Sequence, residues 1–300
     1  MNKVGKTKGY KKSKQDIVLD FFIYTFSLII LFLTIYPFFY VIILSFNEGV
    51  DASFGGIYWW PRKFTLENYA KFFNDLKWLK GIGITVLRTV IGTVLGVLFT
   101  TLVSYACSFK DLIGRKYYMI FIIICMYFSG GIIPYYAVLR SLHLIDTFGV
   151  YVIPGMLNLF FIMIGRGFFE GIPASLRESA KIDGATEFTI FKKIILPISK
   201  PFVATLALFI GVGHWNNWYD STFFVRNKNL KTLPYLMMEV INQNQTTTNV
   251  SASAHQAMSG TTSMSIQLAA VVITVLPIMC IYPFLQKYLV SGMMVGAVKE

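Results

Sequence analysis

The residues that could perform acid–base, nucleophilic or metal chemistry are few and scattered. The three histidines lie far apart in the sequence, and no HExxH, GxSxG or Walker A pattern occurs. Four carboxylates fall in one charged segment: Glu170, Glu178, Asp183 and Glu187. They are better explained as helix-end and solvent charges. We therefore expect no catalytic residue, no metal ligand, no cofactor and no ATP hydrolysis in this chain.

A second polar group lies inside an apolar stretch, in the sequence GHWNNWYD at 213–220. It contains Trp215, Asn216, Trp218 and Asp220. Polar groups at this depth are costly in lipid, so these side chains should face protein or a cavity. The alternatives are a cavity-lining role and an aromatic belt combined with packing between helices.

The composition indicates the elements that position these residues. Hydrophobic residues make up 55% of the 300 residues, charged residues 14%, and the mean hydropathy is +0.59. These values are typical of a polytopic membrane protein rather than a soluble domain. We predict an all-α fold. Its six transmembrane helices are expected at about 17–46, 84–109, 117–139, 149–169, 202–224 and 266–285.

Two features within the predicted spans stand out. Gly130, Gly131 and Pro134 lie near the centre of the third span and should interrupt its helix. The interruption either lines a cavity or is a plain kink accommodated by close packing. Arg88 lies one turn inside the second span, and we expect its side chain to extend outward to the membrane surface.

The distribution of basic residues predicts the topology. We expect residues 1–16 to be a basic cytoplasmic tail ahead of one transmembrane domain, 17–300. The segments assigned to the cytoplasm contain 17 Lys and Arg, and the outer segments contain 9. They are 1–16, 110–116, 166–200 and 286–300 inside, and 47–83, 140–148 and 225–265 outside. This bias follows the positive-inside rule, with both termini cytoplasmic.

The inner segment 166–200 has the pattern of two short helices. Residues 174–182 have helix-forming composition after Pro173, and Gly184 suits the left-handed position that ends a helix. Thr186 can cap a second helix. We expect this helix to present Phe188, Phe191 and Ile195 on one face and to end at Pro197.

The same segment carries a motif of fixed spacing. Glu178, Ser179 and Ala180 are followed after three residues by Gly184, and after nine more by Ile194, Leu196 and Pro197. This resembles the EAA loop of binding-protein-dependent ABC importer permeases, in which alanine is usual at the position of Ser179. The resemblance implies that these seven residues couple the chain to a separate ATPase. Ala180 and Gly184 would allow the close approach of that subunit. An ordinary amphipathic hairpin is the alternative.

The resemblance extends over roughly residues 17–300 and is strongest to the MalG-type carbohydrate branch with LplC-like and YtcP-like members. Residues that carry it include the FSGG run at 128–131, the HWN run at 214–216 and the YPFLQKY run at 282–288. It implies a type I ABC importer permease fold in the bacterial inner or plasma membrane. The partners implied are a homologous second permease, two copies of an ABC ATPase that binds the ATP, an extracytoplasmic solute-binding protein and membrane lipid, with no nucleic acid.

The function implied is a permease subunit for an oligosaccharide or polysaccharide fragment. Import of peptides or another polar solute is the alternative, and a membrane-embedded enzyme acting on lipid-linked sugar is a more distant one. Tryptophan rings pack on sugar C–H surfaces, and amides and carboxylates bond to hydroxyls. Candidate pathway residues are therefore Trp215, Asn216, Trp218, Asp220, Gly130, Gly131 and Pro134. We also expect the polar segment 225–265 to contact the binding protein.

Overall fold

The structure is a computed structural model, and it describes residues 13–246 and 262–297. This part of the chain is helical, and it contains no strand beyond one bridge between Asn47 and Phe64. The predicted all-α fold is confirmed. The first seven helices are α1 Lys14–Ser45, α2 Gly49–Ser53, α3 Glu67–Asn74, α4 Leu76–Ser108, α5 Arg115–Tyr127, α6 Ile132–Ser141 and α7 Leu159–Glu170. The remaining seven are α8 Ala174–Ile182, α9 Glu187–Ile190, α10 Leu196–Ile198, α11 Lys200–Asn216, α12 Tyr219–Phe223, α13 Leu233–Thr246 and α14 Ser263–Ala297.

Three helices are long and apolar enough to cross a membrane: α1, α4 and the Met264–Pro283 part of α14. Three further pairs of helices meet that criterion together, each pair bent at a short break. The bent pairs are α5 with α6, α7 with α8, and the Glu187–Ile198 run with Lys200–Phe223. The number of crossings is therefore compatible with six.

Helix α4 lies at the centre of the bundle, where it packs against α7 and α11, while α14 packs against α1, α11 and α13. Small residues permit this close packing. An added Cβ at Gly92 would lie 2.5 Å from Nε2 of His214, and one at Gly165 would lie 2.7 Å from Oγ of Ser104. Lipid tails are as apolar as leucine, so close backbone approach is a main source of helix association in membranes.

The interruption expected in the third span is present. Helix α5 ends at Tyr127, and α6 begins at Ile132 after a bend of 118°. Gly131 lies at the bend with a φ of +81°, a conformation that glycine adopts without steric penalty. The chain therefore turns back at this point rather than forming one kinked rod.

Two helices begin away from the predicted positions. Helix α4 starts at Leu76 instead of 84, because the carboxylate of Asp75 accepts a 2.8 Å hydrogen bond from the Lys77 N–H and caps the helix. Helix α7 starts at Leu159 instead of 149. The preceding residues form a 3₁₀ turn at Phe148–Tyr151 and an irregular stretch, and Asn158 provides the cap.

The segment predicted to be a polar outer loop, 225–265, contains a packed helix. In α13, Leu233 and Leu236 are fully buried against Phe72 and Trp78. The apolar spacing of 233–240 was not recognised in the sequence. Residues 247–261 of this segment lie outside the described residues, as do residues 1–12 of the predicted basic tail. The last four tail residues begin α1 through a capping box between Ser13 and Asp16.

Candidate functional site

The two helices predicted for the 166–200 loop are present, and the turn between them is built as the sequence indicated. Helix α8 spans the predicted residues Ala174–Ile182. Gly184 has a φ of +78°, its N–H donates to the Lys181 carbonyl, and the Ala185 N–H donates to the Ala180 carbonyl. These two bonds form a Schellman motif. The hydroxyl of Thr186 then accepts from the Thr189 N–H and caps the following helix.

The small side chain at Ala180 serves a different contact from the one expected. Ala180 is buried against this chain's own core, which includes Tyr105, Phe169 and Ile190. Its size is therefore accounted for by packing of α8 onto the bundle. A methyl-sized side chain at this position lets the loop lie close to the end of α4. The expectation that Ala180 directly receives a partner subunit is not supported by this burial.

The other motif residues at the turn form an exposed surface. Glu178, Ser179 and Gly184 are exposed, and a Cβ added at Gly184 would meet no atom within 4 Å. Two large apolar side chains flank them, Ile182 at 86% exposure and Phe188 at 66%. Large apolar side chains exposed together beside an open turn are typical of a protein contact surface.

The second half of the loop differs from the prediction. Phe191 and Ile195 are buried as expected, but Phe188 points away from them, and Ile190 takes its place in the core. Pro197 does not end the helix. The chain continues through a π-helical stretch, Phe191–Ile195, into α10, and the bend to α11 occurs at Ser199.

Motif residues Ile194 and Leu196 pack against the core, whereas Pro197 is exposed. Pro197 lies just after the π-helical stretch and two residues before the bend at Ser199, so the helical run ends soon after it.

Side chains from neighbouring elements hold the loop in place. Glu170, at the end of α7, accepts hydrogen bonds from the guanidinium groups of Arg115 and Arg166. The Arg177 guanidinium lies 3.9 Å from the centroid of the Phe109 ring, and Lys181 pairs with Glu187 across the turn at 2.5 Å. These contacts make the exposed turn part of a supported surface.

A polar cavity of about 320 Å³ is lined by residues of α4, α6, α11 and α12. Its polar lining includes Arg88, Tyr135, Tyr151, His214, Asn217 and Asp220. Asp220 comes from α12, which follows a break in the helix at Asn217 and Trp218. The Asn217 amide oxygen accepts from the Asp220 N–H at 3.2 Å and stabilises the break.

Arg88 was expected to extend outward, and this expectation is wrong. Its side chain is 1% exposed. It donates to the Asp220 carboxylate and, at 2.9 Å, to the Asn217 carbonyl. Its guanidinium also lies 4.8 Å from the centroid of the Tyr151 ring. A charged residue in a membrane segment is stabilised by a partner of opposite charge, and here that partner is 132 positions away.

The structure separates the predicted pathway residues. Trp215 lies on the opposite face of α11 and lines an apolar cavity with Val86 and Pro277, and its ring N–H donates to the Thr274 carbonyl at 2.9 Å. These contacts correspond to the packing alternative for Trp215. Asp220 lines the polar cavity. Asn216 and Trp218, which lie near Asp220 in the sequence, are exposed.

Three further candidates occupy the α5–α6 bend. Gly130, Gly131 and Pro134 are exposed there, and Tyr135, the residue that follows Pro134, lines the polar cavity. His214 and Asn217 belong to the 213–220 cluster that was expected to face protein or a cavity, but they were not among the candidate pathway residues, and neither were Tyr135 and Tyr151. The only signal for them was their polar character within apolar segments. Within the described residues, no group of three or more His, Cys, Asp or Glu side chains could hold a metal ion.

Comparisons with known proteins agree on one family. The family model described as the binding-protein-dependent transport system inner membrane component matches residues 112–295. Protein LplC of Bacillus subtilis (strain 168) is 36% identical and covers 89% of this chain and 90% of its own length. The polygalacturonan/rhamnogalacturonan transport system permease protein YtcP of the same organism is 33% identical, over 94% of this chain and 98% of YtcP.

A solved structure matches the fold over nearly the whole chain. It is a crystal structure of a bacterial ABC transporter involved in the import of the acidic polysaccharide alginate. One of its chains matches with a TM-score of 0.86 and 25% identity, covering 93% of this chain and 99% of that one.

Proposed function

The chain belongs to the binding-protein-dependent transport system inner membrane component family, and we propose that it forms half of the translocation pathway of an ATP-driven carbohydrate importer. It is a membrane transport component rather than an enzyme, which excludes the alternative of a membrane-embedded enzyme acting on lipid-linked sugar. A second permease, two ATPase copies and a solute-binding protein complete the proposed assembly.

The names of the relatives support a carbohydrate substrate. YtcP is named for polygalacturonan and rhamnogalacturonan, and a relative from Halalkalibacterium halodurans is named for arabinooligosaccharides. The polar cavity beside Asp220 offers hydroxyl, amide and charged groups within the bundle, which suits a solute rich in hydroxyl groups. Import of an oligosaccharide or polysaccharide fragment is therefore favoured over import of peptides.

We propose that the exposed turn at Gly184 couples the chain to an ATPase. Ile182 and Phe188 present apolar surface on either side of a glycine that has open space above it. A groove on a partner subunit can receive such a turn, with Glu178 available to pair with a basic residue on the groove. Ser179 lies on the same exposed surface, whereas Ala180, Ile194 and Leu196 hold the turn against the bundle.

The test is the substitution Gly184→Asp in the assembled importer. A side chain at a positive φ costs roughly 1–2 kcal/mol in backbone energy, and it also fills the space that a receiving groove needs. We expect the permease to insert and fold, but to retain less ATPase during purification and to lose stimulated ATP hydrolysis in vesicles.

Gly55→Asp is a matched control, because Gly55 also has a positive φ, +71°, and open space around its Cα, but lies between α2 and α3. It imposes the same backbone strain far from the turn. Normal ATPase retention and hydrolysis in the Gly184→Asp importer would contradict the coupling role. Equal losses in both variants would assign the effect to backbone strain alone.

The proposed topology places the Gly184 turn and both termini in the cytoplasm, and the α13 side outside. After replacement of the native cysteines, an impermeant thiol reagent should label Asn244→Cys but not Ala174→Cys in intact cells. Labelling of Ala174→Cys from outside would contradict this orientation.

The outer side would meet the solute-binding protein. Shortening the 247–261 segment should therefore abolish uptake while the ATPase stays bound.

A further inference from the structure

Basic residues converge on one cavity at the end of the bundle opposite the Gly184 turn. The cavity is about 650 Å³, and residues from α4, α13 and the 222–231 turn line it. Its basic lining residues are Lys77, Lys80, Arg226, Lys228 and Lys231. They are five of the nine Lys and Arg in the predicted outer segments, brought together from sequence positions about 150 apart. Glu239 is the acidic residue in this lining.

Two of the five charges have local partners that account for them. Lys77 pairs with Glu239 at 2.7 Å. Lys231 donates to the carbonyls of Ser221 and Val225 at 2.8 and 2.6 Å and stacks over the ring of Tyr235. The Lys231 ammonium therefore stabilises the turn and is not available to bind a ligand.

The other three side chains form no ion pair with a carboxylate within the described residues. Lys80 donates to the Asn229 amide oxygen at 2.8 Å, which satisfies a hydrogen bond but carries no opposite charge. Arg226 and Lys228 are exposed, and no ion pair within the described residues involves either side chain. The neighbouring Asp146 carboxylate accepts from the backbone N–H groups of Arg226 and Asn227, and the Arg226 charge also lowers the pKa of this carboxylate.

We propose that this cavity binds the carboxylate groups of an acidic oligosaccharide, so that the importer's substrate is a uronic-acid-containing sugar. The inference rests on the proposed function and specifies its substrate class. The five basic side chains outnumber Glu239 and the neighbouring Asp146, and the excess positive charge in one concave site attracts anions. The volume lies within the range of small-molecule sites, about 300–1,000 Å³, and a cavity of this shape suits the end of a sugar chain better than a flat protein surface.

The remaining lining residues fit a sugar rather than a bare phosphate. Thr222, Asn229 and Glu239 can exchange hydrogen bonds with hydroxyl groups, and the Tyr235 ring offers an aromatic surface at the same site. Glu239 is paired with Lys77, and its carboxylate oxygens can still accept hydrogen bonds from sugar hydroxyls. This mixture of cations, hydroxyl partners and an aromatic ring favours a carboxylated sugar over a lipid headgroup.

The experiment measures binding of trigalacturonate and of its methyl ester to the purified importer without its binding protein. The ester keeps the sugar and removes the charge. We expect trigalacturonate to bind with an affinity that falls as salt rises, and the ester to bind weakly. The double variant Arg226→Gln/Lys228→Gln should weaken trigalacturonate binding by about fivefold for each lost charge, the factor that one charge contact at 4 Å provides in water. Arg140→Gln removes an exposed basic residue outside the cavity and should have no effect.

Each other outcome overturns the inference in a recognisable way. Equal binding of the ester, or no effect of the double variant, would exclude charge recognition in this cavity. Weakening seen only in vesicles that contain phosphatidylglycerol would assign the cavity to lipid. Unchanged sugar binding with weaker docking of the binding protein would assign it to protein contact. Uptake of neutral oligosaccharides alone would leave the proposed function intact, whereas uptake of no carbohydrate would contradict both.

Discussion

The buried pair Arg88–Asp220 yields the sharpest prediction about stability. Arg88 is 1% exposed and Asp220 is 20% exposed, and they join α4 to α12 beside the polar cavity. Removing one partner of a buried pair costs about 3–5 kcal/mol, because the other charge stays buried and unneutralised. The two single substitutions should therefore have unequal effects, since the two partners differ in exposure.

We expect Asp220→Leu to destabilise the protein by about 3 kcal/mol, the low end of that range. Arg88 would still donate to the Asn217 carbonyl and contact the Tyr151 ring, and both contacts limit the loss. Arg88→Met should cost less, about 1–2 kcal/mol, because the Asp220 carboxylate can be hydrated or protonated in the cavity.

The double variant Arg88→Met/Asp220→Leu removes both charges and should come within about 1 kcal/mol of the unaltered protein. The assay is SDS-induced unfolding in mixed micelles, analysed as a double-mutant cycle. Additive losses in the double variant would show that the two side chains do not stabilise each other. Equal losses for the two single variants would refute the argument from exposure.

Three further predictions concern packing, pH and the tryptophan. Gly92→Ala should destabilise the protein by about 1–3 kcal/mol, because the new Cβ would lie 2.5 Å from the His214 ring. Gly83→Ala in the same helix places its Cβ in open space and should not destabilise the protein, and thermal unfolding in detergent distinguishes the two variants. Two backbone N–H groups hold the pKa of Asp146 below its usual range. The stability that the ionised carboxylate gives the protein is therefore complete above about pH 4 and is lost as pH falls through the lowered pKa. Asp146→Asn should reduce the drop in melting temperature between about pH 7 and about pH 3. Trp215→Phe should lower the melting temperature or the abundance of the protein and leave the apparent KM for sugar unchanged, because the ring N–H donates to α14 and does not face the polar cavity. A changed KM with normal abundance would restore the pathway role of Trp215.

The sequence determined the features that depend on near neighbours along the chain. Apolar segments long enough to cross a membrane gave the all-α class, since an isolated backbone in lipid must bond to itself within a helix. The bounds of α8, the left-handed Gly184 and the Thr186 cap follow from residues within a few positions of each other. The fixed spacing of the motif from Glu178 to Pro197 was sufficient to indicate the family.

Tertiary structure alone decided which polar residues meet. Arg88 looked like a surface charge because its position in the span was the only local information, and its partner Asp220 lies on another helix. The role of Ala180 in packing, the burial of α13 and the placement of Trp215 on the far face of α11 likewise depend on contacts between helices distant in sequence. Local pattern fixes the backbone of a helix, but the rotation and the neighbours of that helix are set by close packing with the rest of the bundle, and these contacts assemble the polar cavity and the basic cavity.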